Sequence, residues 1–331
     1  MRRTLATLLL ALAASLAVAA GFPERDIQLV VPFEPGGAGD ITSRIIAEAA
    51  NGVLDDVEIR VINRSGGGGI VGQTFVSRAR PDGYTLLSMT SSVVTNPSLK
   101  GASYSVDDFT PVALYNFDPE VIAVSADSPF ADISALIAEA KTRKLNMVTA
   151  GIATTHHMVG LAIEEKSDLQ FNYLPIRGFG KQLQAVMGNH ADGGFWPLGE
   201  AATHVEGGTI RVLAVAADAR DERFPDVPTF AEAGLPVSVW ATFRGWAVPS
   251  GTPDDVVNAL AALLKQVNES AEYRQKMEAA GYRPVYRSAD EFRAVVDEYR
   301  QLTDSVIDAH GLGRYRFEPA ADCPVPARAG K

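Results

Sequence analysis

The stretch IQLVVPFEPGGAGD, Ile27 to Asp40, decides how the rest of the chain reads. Its first half, Ile27 to Phe33, is a nearly continuous apolar run, which predicts a strand covered on both faces rather than one washed by water on one side. Glycines follow. Asp40 then stands as an N-cap before Ile41, Ile45 and Ala49 at helical spacing, with Asn51-Gly52 as the stop. Strand, glycine-rich turn and capped helix are the repeating unit of a parallel α/β domain.

Working outward, the same alternation recurs. A strand is predicted at Glu58 to Ile62, then a glycine-rich turn, a helix from Val71 to Arg78, the turn Pro81-Asp82-Gly83 and a strand from Tyr84 to Met89. A second set begins near Pro119, with strands at Val121 to Val124, Met147 to Ala150, Phe171 to Leu174 and Ile210 to Ala216. Helices fall between them at Ile133 to Thr142, from His156, and around Lys181 to Met187. From Pro253 the pattern turns helical, with Val256, Leu260, Leu263, Leu264 and Val267 on one side and later Phe292, Val295, Val296, Tyr299 and Leu302. These last helices are expected to pack back on the first domain. At 331 residues and 47% hydrophobic content the chain can fill two cores.

The two ends differ from the middle. Arg2 and Arg3 precede an uncharged stretch from Leu5 to Val18, followed by Ala17, Ala19, Ala20 and Gly21, the pattern of a secretory signal cleaved near Ala19 to Gly21. That stretch is shorter than the ~20 residues needed to span a bilayer, so the mature chain is expected to be periplasmic. The only cysteine is Cys323, so an internal disulfide is ruled out. Residues 317–331 hold three prolines and little periodicity, which predicts a loose tail. A formal net charge of −10 disfavours nucleic acid as a partner. It leaves an anionic ligand open, because helix N-termini and backbone amides act within a few ångströms.

Three segments could carry chemistry. PFEPGGAGD, Pro32 to Asp40, combines amides that can approach a ligand with a helix N-terminus that favours an anion. An ordinary tight βα turn would use the same glycines, and the pattern alone leaves both readings open. AGIATTHHM, Ala150 to Met158, repeats the strand, small-residue loop, hydroxyl and helix arrangement, with Thr154 or Thr155 able to cap and His156 able to serve as a neutral hydrogen-bond partner. Two such helix ends across a cleft could hold a ligand with two carboxylates. RSGGGGIVGQ, Arg64 to Gln73, carries literal G-x-G-x-x-G spacing at Gly67, Gly69 and Gly72, but no Asp or Glu lies between Asp82 and Asp107, where a dinucleotide site needs one.

The sequence carries no recognised catalytic pattern. There is no G-x-S-x-G elbow, no cysteine suited to attack and no ligand-spaced cluster of Cys, His and carboxylates, so neither an enzyme nor a metal or other cofactor is expected. His156 and His157 are adjacent and point about 100° apart on a helix, which argues against a shared metal. Phe179, Phe195, Trp196 and Trp240 could wall an apolar pocket, although core packing suits them as well.

Taken together, QLVVPFEPGGAGD, VINRSGGGGIVGQ followed by ARPDGYTLL, and FPDVPTFAEAGLP with the later RGWAVPSGTP resemble the tripartite tricarboxylate transporter receptor family, also called TctC or Bug, from Phe22 to about Tyr299. The resemblance implies an α/β protein with the type II periplasmic-binding-protein fold: two α/β domains around a ligand cleft, joined by a two-segment hinge. The expected division is 21–118 with 246–316, and 119–245, hinged near Phe117 to Val121 and Thr242 to Trp246. It further implies a monomeric solute-binding protein that captures a small organic acid, a di- or tricarboxylate or an aromatic acid, for membrane transporter subunits. A receptor for a membrane sensor kinase, or a secreted hydrolase, are the alternatives. The ligand is expected at Pro35, Gly36, Gly37 and Ala38, with Asp40 ordering that loop, and at Gly151, Thr154, Thr155 and His156. Ser91, Arg177, Phe195 and Trp196 complete the expected set. Two stretches depart from the family pattern, NYLPIRG at Asn172 to Gly178 and ADGGFWP at Ala191 to Pro197, both where the second domain should face the cleft.

Overall fold

A computed structural model of the chain describes residues 21–237 and 239–312. The expected signal segment, the tail from 317 and Cys323 lie outside the described residues.

The quoted stretch forms β1 (Ile27–Val31), a loop, and α1 (Ala38–Asn51). β1 is flanked on both sides by parallel strands, β2 (Ile59–Asn63) and β3 (Thr85–Thr90), which explains its continuous apolar run. One correction concerns Asp40. The helix begins three residues earlier, with Gly37 as its N-cap, and Asp40 sits inside the first turn. The glycine-rich segment closes into a short 3₁₀ turn, Gly67–Gly69, and runs into α2 (Ile70–Ser77). Gly72 is there for packing, since a Cβ on it would stand 2.8 Å from the Arg64 carbonyl and 2.9 Å from the Pro32 Cα. That close approach locks α2 onto the end of β1. A further helix unread in the sequence, α3 (Ser92–Lys100), follows β3 despite carrying Pro97.

The largest departure from the sequence reading is β4 (Phe109–Ser125), a strand of 17 residues where only Val121 to Val124 was expected. Pro111 and Pro119 interrupt its pattern, and its register shifts between Pro111 and Ala113 and again between Leu114 and Asn116. Bulges of this kind let a strand carry proline inside a sheet. Residues Phe109 to Pro119 pair antiparallel with β9 (Ala241–Pro249), while Glu120 to Ser125 pair antiparallel with β7 (Gly193–Pro197) and β8 (Ile210–Val215). β9 also pairs antiparallel with β3, and β10 (Pro284–Arg287) joins β4. The second sheet is completed by β5 (Leu145–Thr149) and β6 (Phe171–Pro175), parallel to each other, with β5 also parallel to β7. Both sheets are therefore mixed rather than parallel throughout, because the two strands that link them run against their neighbours.

Helices cover these sheets: α4 (Ile133–Ala140), α5 (Thr155–Glu165), α6 (Phe179–Met187) and α7 (Leu198–Glu206) in the second half. α8 (Asp254–Glu269), α9 (Ala271–Ala279) and α10 (Ala289–Ala309) follow β9 and β10. The stripe on α8, Val256, Leu260, Leu264 and Val267, is buried in one cluster with Ile27, Leu29, Leu86 and Trp246 of the first sheet. Each such side chain contributes about 2 kcal/mol by leaving water. On β9, Gly245 faces Phe292 of α10 so closely that an added Cβ would lie 2.3 Å from the ring and 2.6 Å from the Ala113 carbonyl. Gly245→Ala is expected to destabilise the fold by about 2 kcal/mol through overpacking, read as a lower urea midpoint with an unchanged slope. An unaltered midpoint would show that the sheet and α10 can separate there without cost.

Candidate ligand-binding cleft

α1 and α5 both present their N-termini to one cavity of ≈ 230 Å³, which lies among residues from both sheets. Pro35, Gly36, Gly37 and Ala38 line it from the first loop, and Ala150, Thr154, Thr155 and His156 from the second. Asp40 does not face the cavity. Its carboxylate accepts from the Gly36 amide at 2.9 Å and from Asn63 Nδ2 at 2.9 Å, and it pairs with Arg44. Burial opposes the charge on Asp40, but Arg44 and those donors outweigh it and hold the carboxyl below its ordinary range. An ionised Asp40 thus fixes Gly36 at φ +83, a conformation suited to glycine. In the second loop Thr154 Oγ1 donates to the Gly151 carbonyl at 2.7 Å. Gly151, at φ +140, shapes this loop and does not line the cavity.

The remaining expected residues divide. Arg177 lines the cavity, as does Phe179. Ser91 does not; it is buried, and its Oγ accepts from the Phe243 amide at 3.1 Å, tying the end of β3 to β9. Phe195 and Trp196 are also outside the cavity. Both are fully buried in β7, Phe195 against Phe171 and Trp196 against Phe179, with Trp196 Nε1 donating to Gln182 Oε1 at 2.7 Å. Large aromatics on a strand paired on both sides serve the core first. Trp240 lines a different hollow of ≈ 730 Å³ together with Phe117, Phe243 and Tyr299. His157 turns away from the cleft onto Tyr173, and burial pulls its pKa down to about 4.

The floor of the cleft is made of residues the sequence reading did not select. Thr242 and Arg244 on β9 line it, while Ala241 and Phe243 between and beside them face the other hollow, as strand alternation requires. Register sets Asn116 opposite Arg244 and Asp118 opposite Thr242. Arg244 Nη1 donates to Asn116 Oδ1 and lies 3.3 Å from Asp118 Oδ2, and Asp118 Oδ1 accepts from the Gly199 amide at 2.9 Å. Glu120, with no exposure, accepts from Thr242 Oγ1 at 2.8 Å and meets His156 Nδ1 at 2.9 Å. Burial disfavours the imidazolium, yet the charge and hydrogen bond of Glu120 prevail and raise the His156 pKa above its ordinary value. Ser65, Gly66, Gly68, Gly69, Thr90 and Ser92 also line the cavity, as do Gln182 and Glu200. A signal for the floor was present: polar residues at 116, 118 and 120, and again at 242 and 244, alternate with apolar ones.

The family model described as "Tripartite tricarboxylate transporter family receptor", TctC, matches residues 42–312. A UPF0065 protein of Bordetella pertussis is 31% identical over 318 residues, covering 94% of this chain and 97% of its own length. The structure of the periplasmic binding protein BugD is 27% identical with a TM-score of 0.80, over 88% of this chain and 99% of that one. MatC of Rhodopseudomonas palustris, solved with bound malate, is 28% identical with a TM-score of 0.79, over 86% and 100%. The chain belongs to the tripartite tricarboxylate transporter family receptors, the TctC or Bug solute-binding proteins.

Proposed function

We propose that this chain is a periplasmic receptor that captures a small organic carboxylate in the cleft and hands it to the membrane subunits of a tripartite tricarboxylate-type transporter. One observation carries the reading. The amides of Gly37 and Gly39 at the start of α1, and of Thr155 and His156 at the start of α5, have no carbonyl partner among the described residues, and all four residues border the cavity or its loop turns. Helix N-termini with open amides suit carboxylate oxygens. The malate in MatC fits that chemistry. The residues 1–20, with their basic start and apolar run, support export. Closure on the ligand is a hinge motion near Phe117 to Val121 and Thr242 to Trp246.

The test is a thermal-shift screen against aliphatic, hydroxy, amino and aromatic acids, run on the wild type and on Gly37→Leu. A Cβ at Gly37 meets only the Glu34 carbonyl, at 3.9 Å, so the variant should fold normally while its side chain blocks the α1 end of the cleft. A ligand at one hundred times its Kd stabilises by about 2.7 kcal/mol. That shift is expected in the wild type and absent in Gly37→Leu. No stabilisation by any acid, or equal stabilisation of both proteins, would sink the reading.

A further inference from the structure

Within the cleft, and resting on the reading that it takes a carboxylate ligand, we propose that Glu200 selects the ligand's second end-group, favouring an ammonium or other hydrogen-donating group over another carboxylate.

Glu200 stands in the first turn of α7, just beyond the FWP segment that departs from the family pattern. Its Oε1 accepts from the Ala38 amide at 3.0 Å, reaching across the cleft to the start of α1. One donor of the anion-binding loop is therefore already engaged by a carboxylate of the protein itself. The nearby cations are also spoken for, since Arg244 pairs with Asp118 and His156 with Glu120. No cation lies within ion-pair distance of Glu200 among the described residues, although its charge reaches Arg244 and His156, and it borders the cavity. A ligand carboxylate brought against it would meet a like charge on a part-buried wall of the cleft, where water screens the repulsion less than in bulk.

Another part of the same cavity has the opposite sign. Arg177 borders the cavity and has no acidic partner among the described residues. Lys100 does not line the cavity; it donates to the Gly67 carbonyl at 3.2 Å, and burial together with the Arg177 charge lowers its pKa to about 8. Arg177 and the open amides of α5 suit a carboxylate, while Glu200 suits a donor. A cleft with unlike ends orients a ligand with unlike ends.

The experiment measures Kd by calorimetry for matched pairs in which one carboxylate is exchanged for an aminomethyl group: succinate and 4-aminobutyrate, adipate and 6-aminohexanoate, terephthalate and 4-(aminomethyl)benzoate. Wild type and Glu200→Gln are compared. Glutamine keeps an oxygen for the Ala38 amide, so the variant should retain the loop geometry. The wild type is expected to bind the amino member of at least one pair tenfold or more tighter, and Glu200→Gln to erase or reverse that ratio. A wild type that prefers the diacid, or a ratio untouched by Glu200→Gln, overturns the inference. Diacids that tighten in the variant with no amine preference in the wild type would show that Glu200 is a plug displaced by the ligand, which also overturns it. If acids of the broader panel bind and no member of any pair does, the inference falls alone; if no acid binds at all, the carboxylate reading falls with it.

Discussion

Arg244→Met is expected to lower the unfolding free energy at pH 7 by about 4 kcal/mol, and by clearly less at pH 5. Arg244 is only 3% exposed, and its partner Asp118 only 5%. Removing one member of such a pair leaves a buried carboxylate with the Gly199 amide and without a cation. Burial already pushes the Asp118 pKa up to about 6, against the pull of Arg244 and Gly199, and Glu120 and Glu200 push it further. Its folded pKa thus exceeds the ~3.9 of an unfolded aspartate, so the native state binds this proton more tightly. For this group stability rises as pH falls from about 6 towards 4 and then levels off. Without Arg244 the charged form is costlier still, and protonation relieves more of the cost. Urea midpoints of both proteins at pH 7 and pH 5 measure the difference. A loss below about 1 kcal/mol at pH 7, or equal losses at both pH values, would mean that water reaches Asp118 and that the floor of the cleft is not the dry network described.

Why this network escaped the sequence is a matter of period and proline. β1 announced itself because every residue from Leu29 to Val31 is apolar and buried, and α1 because Ile41, Ile45 and Ala49 recur at helical spacing, although the face it buries is the neighbouring one, with Ile46, Ala47 and Ala50. α8 showed an equally plain stripe. In β4 the polar residues Asn116, Asp118 and Glu120 sit at every second position, the period of a strand, but Pro111 and Pro119 read as breaks. Without the strand there is no face for the polar residues to share. β9 likewise went unread as a strand, because Arg244 and Gly245 fall in its middle and interrupt the apolar run. The site loops were easier, since glycine-rich turns between strand and helix are local features. Even there Asp40 suited an N-cap by type, and only the three-dimensional loop shows its carboxylate turned back to the Gly36 amide. Phe195 and Trp196 mark the opposite limit. Aromatic side chains are right for a pocket wall and for a core, and only the pairing of β7 with both β4 and β5 decides that they are enclosed.

A second pH-dependent element lies beside the first and responds in a different window. Glu120→Gln is expected to cost about 3 kcal/mol at pH 6, a loss that shrinks as pH rises. Glu120 on β4 is met by His156 from α5 and Thr242 from β9, with Glu200 of α7 and Arg244 of β9 also acting on the imidazole. Because the His156 pKa is raised in the fold above the ~6.5 of an unfolded histidine, its contribution is complete below that value. The contribution is then lost as pH climbs through the folded pKa. In the wild type this leaves a buried Glu120 facing a neutral ring at high pH, so exchanging it for glutamine then removes a charge that has lost its partner. Asp118 exerts its effect between about pH 4 and 6, so the two windows can be read separately. Urea titrations at pH 6 and pH 9, with the His156 ring protons followed by NMR, supply the check. The pair between the crossing strands and α5 would be refuted by a His156 that titrates at its unfolded value in the wild type, or by a Glu120→Gln loss that is the same at both pH values.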